Sequence, residues 1–343
     1  MREAPALGFG GLVDLAAAGL GGRALATSDE YFAPAQSMLQ SGRGVFLDGE
    51  YTDRGKWMDG WESRRKRVPG YDWCIVELGV SGRIAGFDVD TNHFIGNHPP
   101  FASVDGLLAP KGTAVPDLVR SDWSELLPQT ALQPGSQNLF VATPAGPISH
   151  VRLNIYPDGG VARFRCFGAV VPDFTERDVD EAARQHVAPE LVDLAALKNG
   201  GMPLACSDAR FGPMIQLFLP GRAENMSSGW ETRRNRFGTR DWLIVRLGAR
   251  GTLRVVELDT SHFKGNFPER CALQGIDAPG ARITDLIASD RWSPVLPEVR
   301  LHAHSRHFFR AEVLPHAPAS HVRLEILPDG GLSRLRLWGT RDG

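Results

Sequence analysis

The stretch DWCIVELGVSGRIAGFDVDTNHFIGN, residues 72–97, returns as DWLIVRLGARGTLRVVELDTSHFKGN at residues 241–266, with thirteen of the 26 positions identical. The offset is 241 − 72 = 169, and it also holds for GWESRRKR from Gly60, which matches GWETRRNR from Gly229. Further out, VDLA and ATSDEYF (Val13 to Ala16, Ala26 to Phe32) return as VDLA and ACSDARF at an offset of 192 − 13 = 179. The second copy is therefore about ten residues shorter ahead of its GWE motif. Toward the C terminus, SHVRLNIYPDGGVARFRCFG from Ser149 recurs as SHVRLEILPDGGLSRLRLWG from Ser320, thirteen of 20 positions being identical. Three colinear blocks make the chain an internal duplication.

Within each copy the pattern is mostly strand. WCIVEL and RIAGFDVDT are β-rich runs separated by a Ser-Gly turn. HVRLNIY alternates apolar and polar residues and meets PDGG, which reads as the turn of a hairpin into VARFRCF. Alternation places Val151, Leu153 and Ile155 on one face and Arg152 and Asn154 on the other, as a half-buried antiparallel strand requires. Helix is minor: the VDLAAAG segments, DLVRSDWSELL with Asp117 near its start, and part of residues 171–191, where Pro and charge replace the strand signals. The expected fold is all-β, with two tandem jelly-roll sandwiches at 1–170 and 192–343 and a linker at 171–191.

The chain has 343 residues, enough for two cores. Its 38 Lys plus Arg against 40 Asp plus Glu leave a formal charge of −2, so bulk electrostatics favour neither nucleic acid nor an anionic membrane. Four scattered cysteines form no CxxC pair, which suits a reduced, cytoplasmic protein. GLVDLAAAGLGG is short, carries Asp14 and has a mid-chain counterpart, so it reads as part of the fold rather than a signal or membrane segment.

Two motifs bring chemistry-bearing groups together in both copies. Gly-Trp-Glu-(Ser/Thr)-Arg-Arg supplies Glu62 with Arg64 and Arg65, and Glu231 with Arg233 and Arg234. A guanidinium fork can hold an anionic substrate; equally, the motif can be a loop whose tryptophan fills the core edge while its glutamate pairs with arginines. Asp-Thr-x-His-Phe-x-Gly-Asn places Asp90 and His93, then Asp259 and His262, at a strand end, where His can act as general acid or base and Asp can orient it. The plainer reading makes Asp and Thr turn formers and His a cap on backbone carbonyls. Alternation puts His150 with Arg152, and His321 with Arg323, on a shared strand face toward a pocket or solvent. His302, His304 and His307 occur in the second copy only, a weak signal for a metal. No G-x-S-x-G elbow, Walker loop, dinucleotide fingerprint or HExxH helix is present.

DGWESRRKR, YDWCIVELG, DTNHFIGN and SHVRLNIYPDGG, each with its second-half counterpart, resemble the allantoicase family over nearly the whole chain. The resemblance implies two tandem repeats, each a jelly-roll sandwich related to galactose-binding-like modules, and a hydrolase of carbon–nitrogen bonds in linear amidines. The implied reaction takes allantoate to ureidoglycolate and urea in purine degradation. Its substrate carries one carboxylate and two ureido groups on a single carbon, which can expel urea once the departing nitrogen is protonated. That chemistry needs a cation for the carboxylate, an acid and a base.

The expected proton-handling residues are thus His93, Asp90 and Glu62 with His262, Asp259 and Glu231. The expected carboxylate-binding residues are Arg64, Arg65 and Arg152 with Arg233, Arg234 and Arg323. No cofactor is required by the sequence, and a divalent metal is left open, as is a homo-oligomer. The competing readings are a ureidoglycolate-processing lyase and a non-catalytic small-ligand module. Sites could be one per repeat or shared between repeats; differences such as Asn92 against Ser261, Ile95 against Lys264 and His98 against Phe267 argue against two identical ones.

Overall fold

A computed structural model describes residues 9–175, 177–236 and 238–342. The chain divides into two compact units, Met1–Val171 and Pro172–Gly343. In the first, the strands are β1 (Val13–Asp14), β2 (Arg23–Thr27), β3 (Tyr51–Thr52), β4 (Gly55–Lys56), β5 (Trp61–Glu62), β6 (Asp72–Asp90), β7 (Phe101–Leu107), β8 (Ser124–Ala131), β9 (Leu139–Val141), β10 (Ile148–Tyr156), β11 (Gly160–Val161) and β12 (Arg163–Val170). Eight of them form one antiparallel sheet organised around β6. Residues 72–77 of β6 lie between β2 and β10, and residues 82–90 between β12 and β9. One strand thus serves two layers, β2-β6-β10-β7-β8 and β1-β12-β6-β9, as a strand that changes sheet at a sandwich corner does. The all-β expectation holds.

Two local expectations do not. Ser81-Gly82 is no turn, since β6 runs unbroken through it for 19 residues. The glycines there serve packing: a Cβ on Gly79 would lie 2.6 Å from the Leu20 carbonyl oxygen, and one on Gly82 2.6 Å from Leu15 Cδ1. Nor do the strands flanking PDGG form a hairpin. β10 pairs with β6 and β7, while β12 pairs with β1 and the other half of β6, so the connection crosses between layers and contributes β11, which pairs with β5.

β10 is also more than half-buried. Val151, Leu153 and Ile155 are inaccessible, but so are His150 and Asn154 on the opposite face. Their surroundings are polar: Ser149 Oγ lies 2.9 Å from His150 Nδ1, and Asn154 Nδ2 donates to Ser103 and Asp105. His150 and His321 are therefore shielded from solvent. The VDLAAAG segments are a two-residue strand and a 3-10 turn rather than helix, and a helix, Val115–Arg120, takes in only the DLVR of DLVRSDWSELL, whose SELL opens β8.

The second unit repeats this plan with β13 (Val192–Asp193), β14 (Met202–Cys206), β15 (Trp230–Glu231), β16 (Asp241–Asp259), β17 (Arg270–Ile276), β18 (Ser293–Arg300), β19 (Arg306–Phe309), β20 (Ala319–Leu327), β21 (Gly331–Leu332) and β22 (Arg334–Arg341). Within 171–191 a short helix, Glu181–Arg184, is capped by the Asp180 carboxylate, and Ala183, Val187 and Leu191 pack on Val255 and Trp338. Among the described residues no helix is long and apolar enough to cross a membrane. All four cysteines are free thiols.

Candidate active site

The recurring motifs build one corner of each unit. Trp61 is fully buried and donates through Nε1 to the Asp29 carbonyl at 2.8 Å, which fixes the next residue, Glu62, at the rim of the core. Phe94 is equally buried and lies over Gly160, where a Cβ would meet the ring at 1.9 Å. The second glycine of PDGG is thereby explained: it is the seat of the phenylalanine from DTxHF. Gly331 receives Phe263 in the same way.

Thr91 Oγ1 donates to the Gln133 carbonyl, and Asp90 Oδ1 accepts from the Asn92 amide, so Asp-Thr does shape the turn. The turn leaves His93 at φ 68° and His262 at φ 72°, a left-handed conformation that only a few per cent of non-glycine residues adopt and that clusters at functional sites.

In the first unit these pieces surround a cavity of about 290 Å³ lined by Glu62, His93, Asn97, Lys56, Phe32 and Phe46, among others. Asn97 Nδ2 donates to Glu62 Oε1 at 2.7 Å, and among the described residues no donor holds Oε2. Burial pushes the Glu62 carboxyl above the usual carboxylate range, against the opposing pull of that hydrogen bond. His93 Nε2 lies 3.1 Å from the Gly44 carbonyl oxygen. A carbonyl only accepts, so Nε2 carries the proton of neutral His93 and Nδ1 is the basic nitrogen. The Lys56 ammonium sits 4.2 Å from the centre of the Phe46 ring, whose other neighbour, at 5.5 Å, is the His93 ring. The cavity thus offers a proton donor, a base, an amide and a cation.

Lys56 and Phe46 were not singled out from sequence. They stand in the stretch that the second copy lacks, which includes the β3–β4 hairpin, and the drop in offset from 179 to 169 was the signal for it. In the second unit the core pieces persist, with Asn266 Nδ2 donating to Glu231 at 2.6 Å and His262 Nε2 3.0 Å from the Ala223 carbonyl, but no such hairpin covers them.

The expected arginines lie elsewhere. Arg64 and Arg233 are occupied by Asp29 and Asp208, through both backbone N–H and Nε, with most of each side chain exposed. Arg65 and Arg234 are exposed. Arg152 pairs with Asp105 above Trp123, and Arg323 lies over Trp242 beside Glu325. None of these lines the cavity. Glu62 and Glu231 pair with asparagines, not with arginines.

Asp90 and Asp259 belong to a second cluster that sequence reading missed. In the first unit Asp88, Asp90, Arg163 and Arg165 alternate along β6 and β12; Arg43 Nη2 lies 3.5 Å from Asp90, and burial pushes Asp88 up to about 6. The second unit holds Glu257, Asp259, Arg334 and Arg336 at the matching positions. Charged residues two apart on both strands, repeated in both copies, were the available sign.

The histidine-rich segment does not fit a metal. His302 N donates to His307 Nε2, His262 N donates to His304 Nδ1, and among the described residues no three His, Cys, Asp or Glu gather as ligands. A larger hollow of about 400 Å³ in the second unit, lined by Leu191, Val255, Leu314 and His316, among others, holds no residue of the GWETRR or DTSHF motifs.

The family model described as the Allantoicase repeat matches residues 13–171 and 192–342. The protein named Probable allantoicase from Pseudomonas paraeruginosa is 48% identical over 330 residues, 95% of this chain and 95% of its own length. Probable allantoicase 1 from Burkholderia mallei is 46% identical over 331 residues, covering 96% and 95%. The crystal structure of allantoicase from Saccharomyces cerevisiae superposes with a TM-score of 0.78 at 35% identity, over 96% of this chain and 93% of that one.

Proposed function

The chain belongs to the allantoicase family, and we propose that the cavity of its first unit is where it hydrolyses allantoate to ureidoglycolate and urea. The observation that carries this placement is the meeting of Glu62, with its carboxyl pushed upward by burial, and the left-handed His93 in one cavity with Lys56. Lys56 holds the substrate carboxylate. Glu62, whose carboxyl burial pushes above the usual carboxylate range, gives its proton to the departing ureido nitrogen; urea leaves, and an imine-like carbon remains. His93 Nδ1 takes a proton from the water that captures that carbon, and Asn97 stabilises the Glu62 carboxylate left behind. Neither a covalent enzyme intermediate nor a redox step is needed for the atoms to balance. The four free thiols suit the reducing cytoplasm.

The test is to compare His93→Ala with His262→Ala by urea release from allantoate. With the reaction in the first unit, His93→Ala falls about 10²-fold or more, within the range for one general acid or base, while His262→Ala keeps most of its activity. Equal halving by the two would mean two independent sites, and near-total loss from either a shared one; both contradict the placement.

A further inference from the structure

The two units treat one buried arginine differently. In the first, Arg163 donates from Nε to the Gly42 carbonyl and from Nη1 to the Asp59 and Ala162 carbonyls, and its fork is closed by the Asp59 carboxylate, at 3.1 Å from Nη1 and 2.6 Å from Nη2. In the second, Arg334 repeats the backbone part: Nε donates to the Gly221 carbonyl and Nη1 to the Ser228 and Ser333 carbonyls. Ser228, however, stands where Asp59 does, so the closing carboxylate is gone. Among the described residues Arg334 has no carboxylate within ion-pair distance and Nη2 has no acceptor, although the residue is only 6% exposed. Burial, and Arg336 beside it, pull the Arg334 guanidinium down to about 10 against the attraction of Asp259 and Asp178, neither of which closes its fork as Asp59 closes that of Arg163.

Arg334 lines a cavity of about 160 Å³ together with Arg222, Arg306, Glu257, Asp259 and Asp178, among others. The neighbouring cations are committed: Arg222 Nη2 to Asp259 at 3.2 Å, Arg306 to both Glu257 and Asp180, and Arg336 to the Leu217, Leu219 and Gly221 carbonyls. The wall therefore offers one open guanidinium edge beside Asp259 and Glu257, carboxylates that already accept from Ser261, Arg222, Arg306 and Trp338 and keep further lone pairs for a ligand N–H. That combination suits neither a simple anion, which the carboxylates repel, nor a simple cation. It suits a small molecule bearing a carboxylate for Arg334 and N–H groups for the Asp and Glu oxygens.

We infer that this cavity of the second unit is a binding site for a small ureido acid, with Arg334 taking its carboxylate and Asp259 and Glu257 taking its ureido N–H groups. The ligand class rests on the reading that the chain acts on allantoate. The site shares no lining residue with the cavity that carries Glu62 and His93.

The probe is N-carbamoylglycine, which joins one ureido group to one carboxylate and has no aminal carbon to cleave, titrated calorimetrically into the full chain. The informative variant is Ser228→Asp, which restores the carboxylate of the first unit at a half-buried position and spares the arginine that holds the backbone together. The wild type is expected to take two probe molecules per chain, and Ser228→Asp one, with the second site weakened at least tenfold and no loss of melting temperature. Unchanged stoichiometry and affinity in Ser228→Asp would overturn the assignment, as would urea alone binding there as tightly as N-carbamoylglycine. A wild type that releases urea from allantoate yet takes one probe molecule, blind to Ser228→Asp, loses this site and keeps the reaction. Probe binding that Ser228→Asp abolishes, in a chain that releases no urea, loses the reaction and keeps the site.

Discussion

Glu62→Gln is expected to lower urea release from allantoate by about 10² to 10⁴-fold, the range of a lost general acid, with the fold intact. The substitution is nearly isosteric and the amide oxygen can still accept from Asn97 Nδ2, so the Glu62–Asn97 link that ties β5 to the DTxHF turn survives. What disappears is the transferable proton. The pH dependence gives a second reading of the same residue. Burial raises the Glu62 carboxyl, so its protonated, acid-competent form persists to higher pH than an exposed glutamate allows. Turnover should fall as pH rises through that raised value, and Glu62→Gln should lose this alkaline limb. A variant with wild-type turnover and an unchanged profile would remove Glu62 from the chemistry.

Trp61→Ala is expected to destabilise the protein by about 3–5 kcal/mol, the usual cost of deleting a fully buried large aromatic side chain. The loss also orphans the Asp29 end of the hydrogen bond from Nε1. Against a typical net stability of about 5–15 kcal/mol this is a large fraction, so the midpoint of chemical denaturation should shift strongly. Trp61→Phe, which keeps most of the volume, should recover the greater part of it. Because Trp61 also positions Glu62, the alanine variant should lose activity below its own melting transition. A loss under about 1 kcal/mol would contradict the view that the GWE tryptophan is a core residue first.

The duplication was legible because identical blocks recur in order, and strand content was legible from β-branched and apolar runs such as CIVEL and LIVRL. The glycines misled in both directions. Gly82 looked like a turn, but it is a place where Leu15 approaches the backbone; the PDGG glycines looked like a hairpin, but Gly160 makes room for Phe94. Such contacts join residues far apart in sequence, which local pattern cannot see.

The candidate site was legible in part. Glu62 and His93 were named, and one cavity brings them together. The arginines beside them do not line that cavity: a guanidinium is conspicuous in sequence, while the carboxylate that already holds it is not, as Asp29 holds Arg64 and Asp105 holds Arg152. The cation that does line the cavity, Lys56, lies in a stretch without a counterpart and so drew no notice from recurrence.

The most direct measurement is the reaction itself: purified protein with allantoate, urea and ureidoglycolate both quantified over time. The account predicts that the two products appear together in equal amounts. Absence of urea release, or urea arising only from added ureidoglycolate, would contradict it.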